Sequence, residues 1–259
     1  WSDSSRMVNS GSIEAAGMTL AVRVIPTMLI RGEHLVKGIR FDSWRVVGHA
    51  MQAARIHAAR AVDELILLDI AATPEGRGPN LALIEKLSEF CHTPLTVGGG
   101  VRTLEDVYQV LRAGADKVAI GNAAWGGDLV LKASQRYGSQ AIVVICDVVG
   151  NTDGVVGARC TREAASERAA WIASQGAGEI LLTSVDREGT MQGYDHDLIR
   201  WVSGAVDIPV IAHGGCSDYK DMMLAIAAAA SAVAAGALFQ FTEATPRGAV
   251  EYLEEAGVT

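Results

Sequence analysis

The chain repeats itself. Pro94-Leu95-Thr96-Val97-Gly98-Gly99-Gly100-Val101 and Pro209-Val210-Ile211-Ala212-His213-Gly214-Gly215-Cys216 are both apolar, β-type runs that end in glycines and lead into a helical pattern, and they lie 115 residues apart. The same offset sets Glu64-Leu65-Ile66-Leu67 on Glu179-Ile180-Leu181-Leu182, Ala115-Asp116-Lys117-Val118 on Ala230-Ser231-Ala232-Val233, and Gly121 on Gly236. Matches in one register imply two copies of a half-domain. A long internal period constrains the fold before any single element does.

Apolar runs of β type alternate with helical patterns throughout. Strands are predicted at residues 23–30, 64–70, 93–97, 117–120, 141–147, 179–183, 209–212 and 231–235. Helices follow at about 47–61, 79–90, 103–113, 128–137, 161–175, 195–204, 218–229 and 246–256, with Thr103 as the N-cap before Glu105 and Asp106. Strict alternation implies parallel strands joined by helical crossovers. Eight units in a chain of this length predict a single α/β domain, a (β/α)8 barrel built from two similar half-barrels. A doubly wound open sheet is the alternative, but it accounts less well for the repeat. The barrel is expected over 18–259. Residues 1–17, rich in Ser and Gly, read as an extension ahead of a natural start at Met18.

Composition excludes some functions. A net charge of −8 leaves no basic surface for nucleic acid. No apolar run is long enough to span a membrane. Cys91, Cys146, Cys160 and Cys216 lack C-x-x-C spacing, so no metal site is indicated, no cofactor is expected, and a reducing cytoplasmic location fits. Cys146 reads as a small buried hydrophobe.

Barrel chemistry gathers at the C-terminal ends of the strands. Glycines there leave backbone N–H groups free to meet an anion. Gly99, Gly100, Gly121 and Asn122 form one such group; Gly189, Gly214, Gly215, Ala235 and Gly236 form a second. Two anion sites across one mouth suggest a ligand with a phosphate at each end; tight turns alone are the alternative. Asp147 ends the fifth strand as a general acid or base, or as a cap on the loop holding Gly150 and Gly154. Asp69 is another strand-end carboxylate. Lys37, on the loop after strand one, meets a phosphate or carboxylate, or is simply a solvated surface lysine. His213 reads as structural or solvent-facing at least as readily as catalytic. Asp186 and Glu188 stand on the loop after strand six, and Leu29 ends strand one with no proton to transfer. At the opposite end, Arg23, Glu64, Lys117 and Glu179 each open a strand. They are expected to form a ring of ion pairs, read on the residues alone as a polar plug that fixes the bottom layer.

These residues carry a family resemblance. RVIP (23–26), LVKG (35–38), DELILLDI (63–70), TVGGGVRTLED (96–106), GADKV (114–118), YGSQAIVV (137–144), GAGEILLTSVDREGTMQGYD (176–195) and IPVIAHGG (208–215) resemble the cyclase subunit of imidazole glycerol phosphate synthase. The resemblance runs from Met18 to the C-terminus and implies a half-barrel-duplicated (β/α)8 fold. It also implies a glutaminase partner docked on the barrel bottom around Asp116, and ammonia that enters past a gate formed by Arg23, Glu64, Lys117 and Glu179. The substrate it implies is a bisphosphorylated ribulosyl-aminoimidazole, with its phosphates at the two glycine groups and Lys37 on the first loop.

The family's two catalytic aspartates, at the ends of strands one and five, are matched only at Asp147. Leu29 stands at the other position, and Glu188 replaces an aspartate before the strand-six glycine. The apolar end of strand one (Thr27–Ile30), EGRGPN (75–80) and ASAVAAGALF (230–239) resemble a paralogous branch linked to acetamidino modification of bacterial surface sugars such as lipopolysaccharide O-antigen. This resemblance implies ammonia delivery to a sugar amidotransferase. The expected function is therefore the ammonia-accepting, synthase-like subunit of a glutamine amidotransferase. One alternative is a histidine-pathway cyclase in which Asp69, Lys37 or Glu188 compensates for Leu29. The other is a non-catalytic conduit that activates a glutaminase.

Overall fold

The computed structural model describes residues 22–60, 62–150 and 159–258; the expected extension at 1–17 and Gly154 lie outside them. Eight parallel strands close into a barrel in the order β1 (Arg23–Arg31), β4 (Leu65–Asp69), β5 (Leu95–Gly98), β6 (Lys117–Ile120), β7 (Ile142–Val149), β9 (Glu179–Ser184), β10 (Val210–His213) and β11 (Ala232–Ala235). Closure is by β1 on β11, with Arg23 beside Ala232 and Pro26 beside Ala235. A two-residue strand, β8 (Cys160–Thr161), lengthens β7's edge.

Helices α1 (Ala50–Ala59), α2 (Leu81–Ser88), α3 (Leu104–Arg112), α4 (Leu129–Tyr137), α5 (Ala165–Ser174), α6 (His196–Ser203), α7 (Tyr219–Ala227) and α9 (Pro246–Glu255) flank the barrel. A five-residue helix, α8 (Ala237–Phe241), lies between β11 and α9. Thr103 caps α3 in a full capping box with Asp106.

One region departs from the predicted pattern. Residues 34–49 form an antiparallel hairpin, β2 (His34–Ile39) and β3 (Asp42–His49), paired to the end of β1. The expected helix at 47–61 therefore starts only at Ala50. Val46 and Val47 belong to an alternating, largely exposed strand rather than to the helix's apolar face. Lys37 consequently sits on β2, not on a loop.

The duplication holds atom by atom. Leu95 N–H donates to Asp116 Oδ2 (2.8 Å), and Val210 N–H donates to Ser231 Oγ (3.4 Å). Asn80 and Asp195 cap α2 and α6 by accepting from Leu83 and Leu198 N–H. Gly99 and Gly214 have φ of 107° and 93°, and a Cβ at either would meet a carbonyl oxygen, of Asp69 at 2.3 Å or of Ser184 at 2.6 Å. Each of these pairs is separated by the 115 residues of the sequence repeat.

Strand parity sorts the side chains. Leu65, Leu67, Val97, Val144 and Val233 face outward into the core beneath the helices. Ile25, Ile66, Ala119, Val143, Leu181, Ile211, Ala232 and Ala234 form a separate inner layer that fills the lumen. Burying a large aliphatic side chain contributes about 1.5–3 kcal/mol, so this apolar layer is a structural element in its own right. It separates the barrel's two polar ends.

Candidate active site

Below the apolar layer, the four strand-start charges form a closed ring. Arg23 Nη1 lies 2.6 Å from Glu64 Oε2, and Arg23 Nη2 lies 2.8 Å from Glu179 Oε1. Lys117 Nζ bridges the same two carboxylates, at 2.9 Å from Glu64 and 3.0 Å from Glu179. Glu64 Oε1 also accepts from Thr96 Oγ1 at 2.5 Å. Thr96 is a ring member that the sequence reading missed; an inward-parity hydroxyl in an otherwise apolar strand was its signal. Each of the four charges lies at the start of its strand on the inward face, which is why residues up to 156 positions apart meet. Asp116 is exposed beside Lys117, with one carboxylate oxygen taken by Leu95 N–H.

Above the layer, inward parity brings Leu29, Gly121, Asp147 and Gly236 to the mouth. Asp147 lies two residues inside β7 rather than at its end. Burial pushes its carboxyl pKa up to about 6; the Thr183 hydroxyl and Arg159 pull it down, and the Glu188 charge raises it further. Asp147 Oδ1 has no hydrogen-bond partner among the described residues. A carboxyl whose pKa is raised toward neutrality, with an open oxygen, is suited to moving protons. Leu29 is buried at the same level and offers only methyl groups.

Asp69 is differently placed. It shares parity with Leu65 and Leu67 and so points out of the lumen, where both oxygens accept from Arg77, at 2.7 and 3.0 Å. Its Oδ1 also accepts from Ala71 N–H at 3.1 Å. This carboxylate ties down the 75–80 loop and is not open to a ligand.

Lys37 is buried rather than solvated: its Nζ lies 2.5 Å from Glu188 Oε1. The pair lines a cleft with Gly189, His213, Gly215 and Gly236. His213 is buried, not solvent-facing. Its Nδ1 lies 3.2 Å from Thr183 Oγ1, and burial together with the nearby Lys37 charge lowers its pKa to about 3, so it is neutral. Sequence reading missed the Lys37–Glu188 contact because it spans 151 residues.

The glycines divide into two kinds. Cβ atoms at Gly99, Gly100, Gly189, Gly214 and Gly215 would lie 2.2–2.7 Å from backbone oxygens, and all five have positive φ. Close backbone packing is enough to require glycine there. The N–H of Gly100 donates to Thr73 Oγ1 at 3.4 Å. Gly121 is different: a Cβ there would meet only Ile145 Cδ1, at 3.8 Å, so the space belongs to the mouth. It leads into a short 3-10 turn at Asn122–Ala124, with Asn122 exposed. Ala235 and Gly236 lead into α8, and a Cβ at Gly236 would come 3.2 Å from Lys37 Nζ.

Among the described residues no group of His, Cys, Asp and Glu is arranged to hold a metal, all four cysteines are free and buried, and no helix is long and apolar enough to cross a membrane.

The sequence profile of the histidine biosynthesis protein family matches residues 23–245. The imidazole glycerol phosphate synthase subunit HisF of Hyphomonas neptunium (strain ATCC 15444) is 43% identical over 245 residues, covering 92% of this chain and 97% of that protein. Neither likeness carries anything for a surface-sugar pathway. With its duplicated barrel, charged bottom ring and near-full-length match, the chain belongs to the histidine biosynthesis protein family.

Proposed function

We propose that the chain is the ammonia-accepting, cyclase-type subunit of a glutamine amidotransferase, acting like the imidazole glycerol phosphate synthase subunit named in its relative. The observation that supports this best is axial. The ring of Arg23, Glu64, Lys117 and Glu179 closes one end of an apolar lumen, and Asp147, with a pKa of about 6, stands at the other. A glutaminase docks at the bottom around Asp116. Neutral ammonia crosses the ring and the Ile25–Ala234 layer, where an ammonium ion would be costly to desolvate. At the mouth Asp147 transfers protons to and from a bisphosphorylated substrate. The substrate's phosphates lie toward Gly121 and Asn122 on one side, and toward Lys37, Gly215 and Gly236 on the other.

Leu29 favours a second reading. With an apolar group at the end of β1, the barrel serves acetamidino transfer to a surface sugar, passing ammonia to a sugar amidotransferase. One experiment separates the two. Turnover of the bisphosphorylated histidine-pathway intermediate with excess ammonium salt is expected for the wild type. No wild-type turnover, with activity appearing in Leu29→Asp, moves the assignment to the second reading. No turnover in either leaves the barrel a conduit. The gate role is tested by Lys117→Ala, expected to keep ammonium-supported turnover while uncoupling glutamine-supported turnover; equal loss of both contradicts it.

A further inference from the structure

We propose that Glu188 is the second proton-transferring carboxylate of this mouth, working with Asp147 in place of the carboxylate that Leu29 lacks, and positioned by Lys37. The inference rests on the cyclase-type reading above.

Glu188 is 1% exposed, and its two oxygens are used unequally. Oε1 takes Lys37 Nζ at 2.5 Å; Oε2 is buried and has no hydrogen-bond partner among the described residues. A buried acceptor left unsatisfied is costly, and a bound donor would remove that cost. The residue is otherwise held firmly. Its N–H donates to the Ser184 and Val185 carbonyls (3.0 and 3.2 Å), and its carbonyl accepts from Arg40 N–H at 2.9 Å. The hairpin and the β9 loop thus fix the backbone, Lys37 fixes one oxygen, and the other is left without a partner.

The charged and titratable groups around Glu188 give it a role distinct from that of Asp147. Lys37 on β2 holds its Oε1, the neutral His213 on β10 lines the same cleft, and Asp147 on β7 is near enough for the Glu188 charge to raise its pKa. With one oxygen held by Lys37 and the other without a partner, Glu188 is placed to act as the base, while burial raises the Asp147 pKa and suits it to be the acid. When ammonia adds to a carbonyl carbon, the C–N bond forms, the C=O π pair moves to oxygen, and Glu188 Oε2 carries a proton from nitrogen to that oxygen to give a carbinolamine hydroxyl. Asp147 then protonates the hydroxyl, the C–O bond breaks, water leaves, and the iminium nitrogen gives a second proton to Glu188. Solvent returns the proton from Glu188 to Asp147.

The test compares Glu188→Gln, Glu188→Asp and the wild type in ammonium-supported turnover of the bisphosphorylated intermediate across pH, with thermal midpoints measured alongside. Glu188→Gln is expected to lower kcat about 100-fold or more, with KM within threefold, and to erase the acidic limb of the kcat/KM profile while keeping the alkaline limb. Glu188→Asp is expected to restore part of the rate together with the acidic limb. An active wild type with an unimpaired Glu188→Gln overturns the inference and leaves the cyclase reading standing. So does a slowed Glu188→Gln that keeps both limbs, since a purely structural residue would give that result. If Glu188→Gln does not fold, Glu188→Asp decides: loss of its acidic limb overturns the inference, and retention with a reduced kcat supports it. An inactive wild type overturns the cyclase reading and this inference with it.

Discussion

The two ends of the barrel treat their charges in opposite ways. At the bottom, Arg23, Glu64, Lys117 and Glu179 satisfy one another through four ion pairs of 2.6–3.0 Å, and Thr96 takes a remaining oxygen. At the mouth, Asp147 Oδ1 and Glu188 Oε2 are buried without partners among the described residues. Both ends grow from one duplicated backbone, to which the mouth adds the β2–β3 hairpin that carries Lys37. The bottom is complete in itself, whereas the mouth is complete only with something bound. Unsatisfied buried groups are rare in folded proteins and call for an explanation when they occur; others lie on the flanking helices, at His57, Tyr137 and Ser203, but of the two charged ends only the mouth holds carboxylate oxygens of this kind.

Breaking the bottom should have the largest effect. Glu64→Ala leaves two buried or half-buried cations sharing Glu179, and is expected to cost roughly 3–5 kcal/mol in urea unfolding. A loss under 1 kcal/mol would mean that the ring adds little to the fold. Acid comes next. His57 and His213 have pKa values lowered to about 4 and about 3 by burial. Below pH 6.5 the unfolded chain binds protons that the folded chain refuses, so stability falls as pH drops, by about 2 kcal/mol for each histidine by pH 5. Replacing either by glutamine should flatten the stability–pH curve below pH 6.5, and an unchanged slope would exclude that histidine as the cause.

The smallest effect has the opposite sign and sharpens the comparison. Asp147 holds its proton more tightly when folded, so its ionisation costs stability as pH rises from about 4 through about 6. Asp147→Asn is expected to abolish turnover yet stabilise the fold by about 1–2 kcal/mol at pH 8 relative to pH 5, after allowance for its partial exposure. Thermal melts at the two pH values read this directly; destabilisation at pH 8 would place Asp147 with the structural charges of the bottom.

The repeat made the barrel legible, because two runs such as 94–101 and 209–216 in one register leave few topologies. Strand-start charges gave the ring for the same reason: parity and position along parallel strands are both read from spacing. Asp69 was weighed by its place at a strand end without its parity, which matches Leu65 and Leu67; it faces Arg77 outside the lumen while Asp147 faces in. The hairpin escaped notice because Trp44-Arg45-Val46-Val47 alternates too briefly before a helical pattern takes over. Lys37 against Glu188 was not legible at all, since no local rule joins a hairpin strand to a loop 151 residues on.

The paired glycines also govern how such a chain is free to drift. Gly99 and Gly214 are barred from any side chain by a neighbouring carbonyl, as are Gly100 and Gly215, so a saturation library sorted only for folded protein should be emptied at all four positions. Gly121, with open space beside it, should survive that sort and be lost only under selection for activity. Two generations of selection, first for folding and then for growth, would thus separate architecture from chemistry within one residue type, and the duplicated half supplies the internal control.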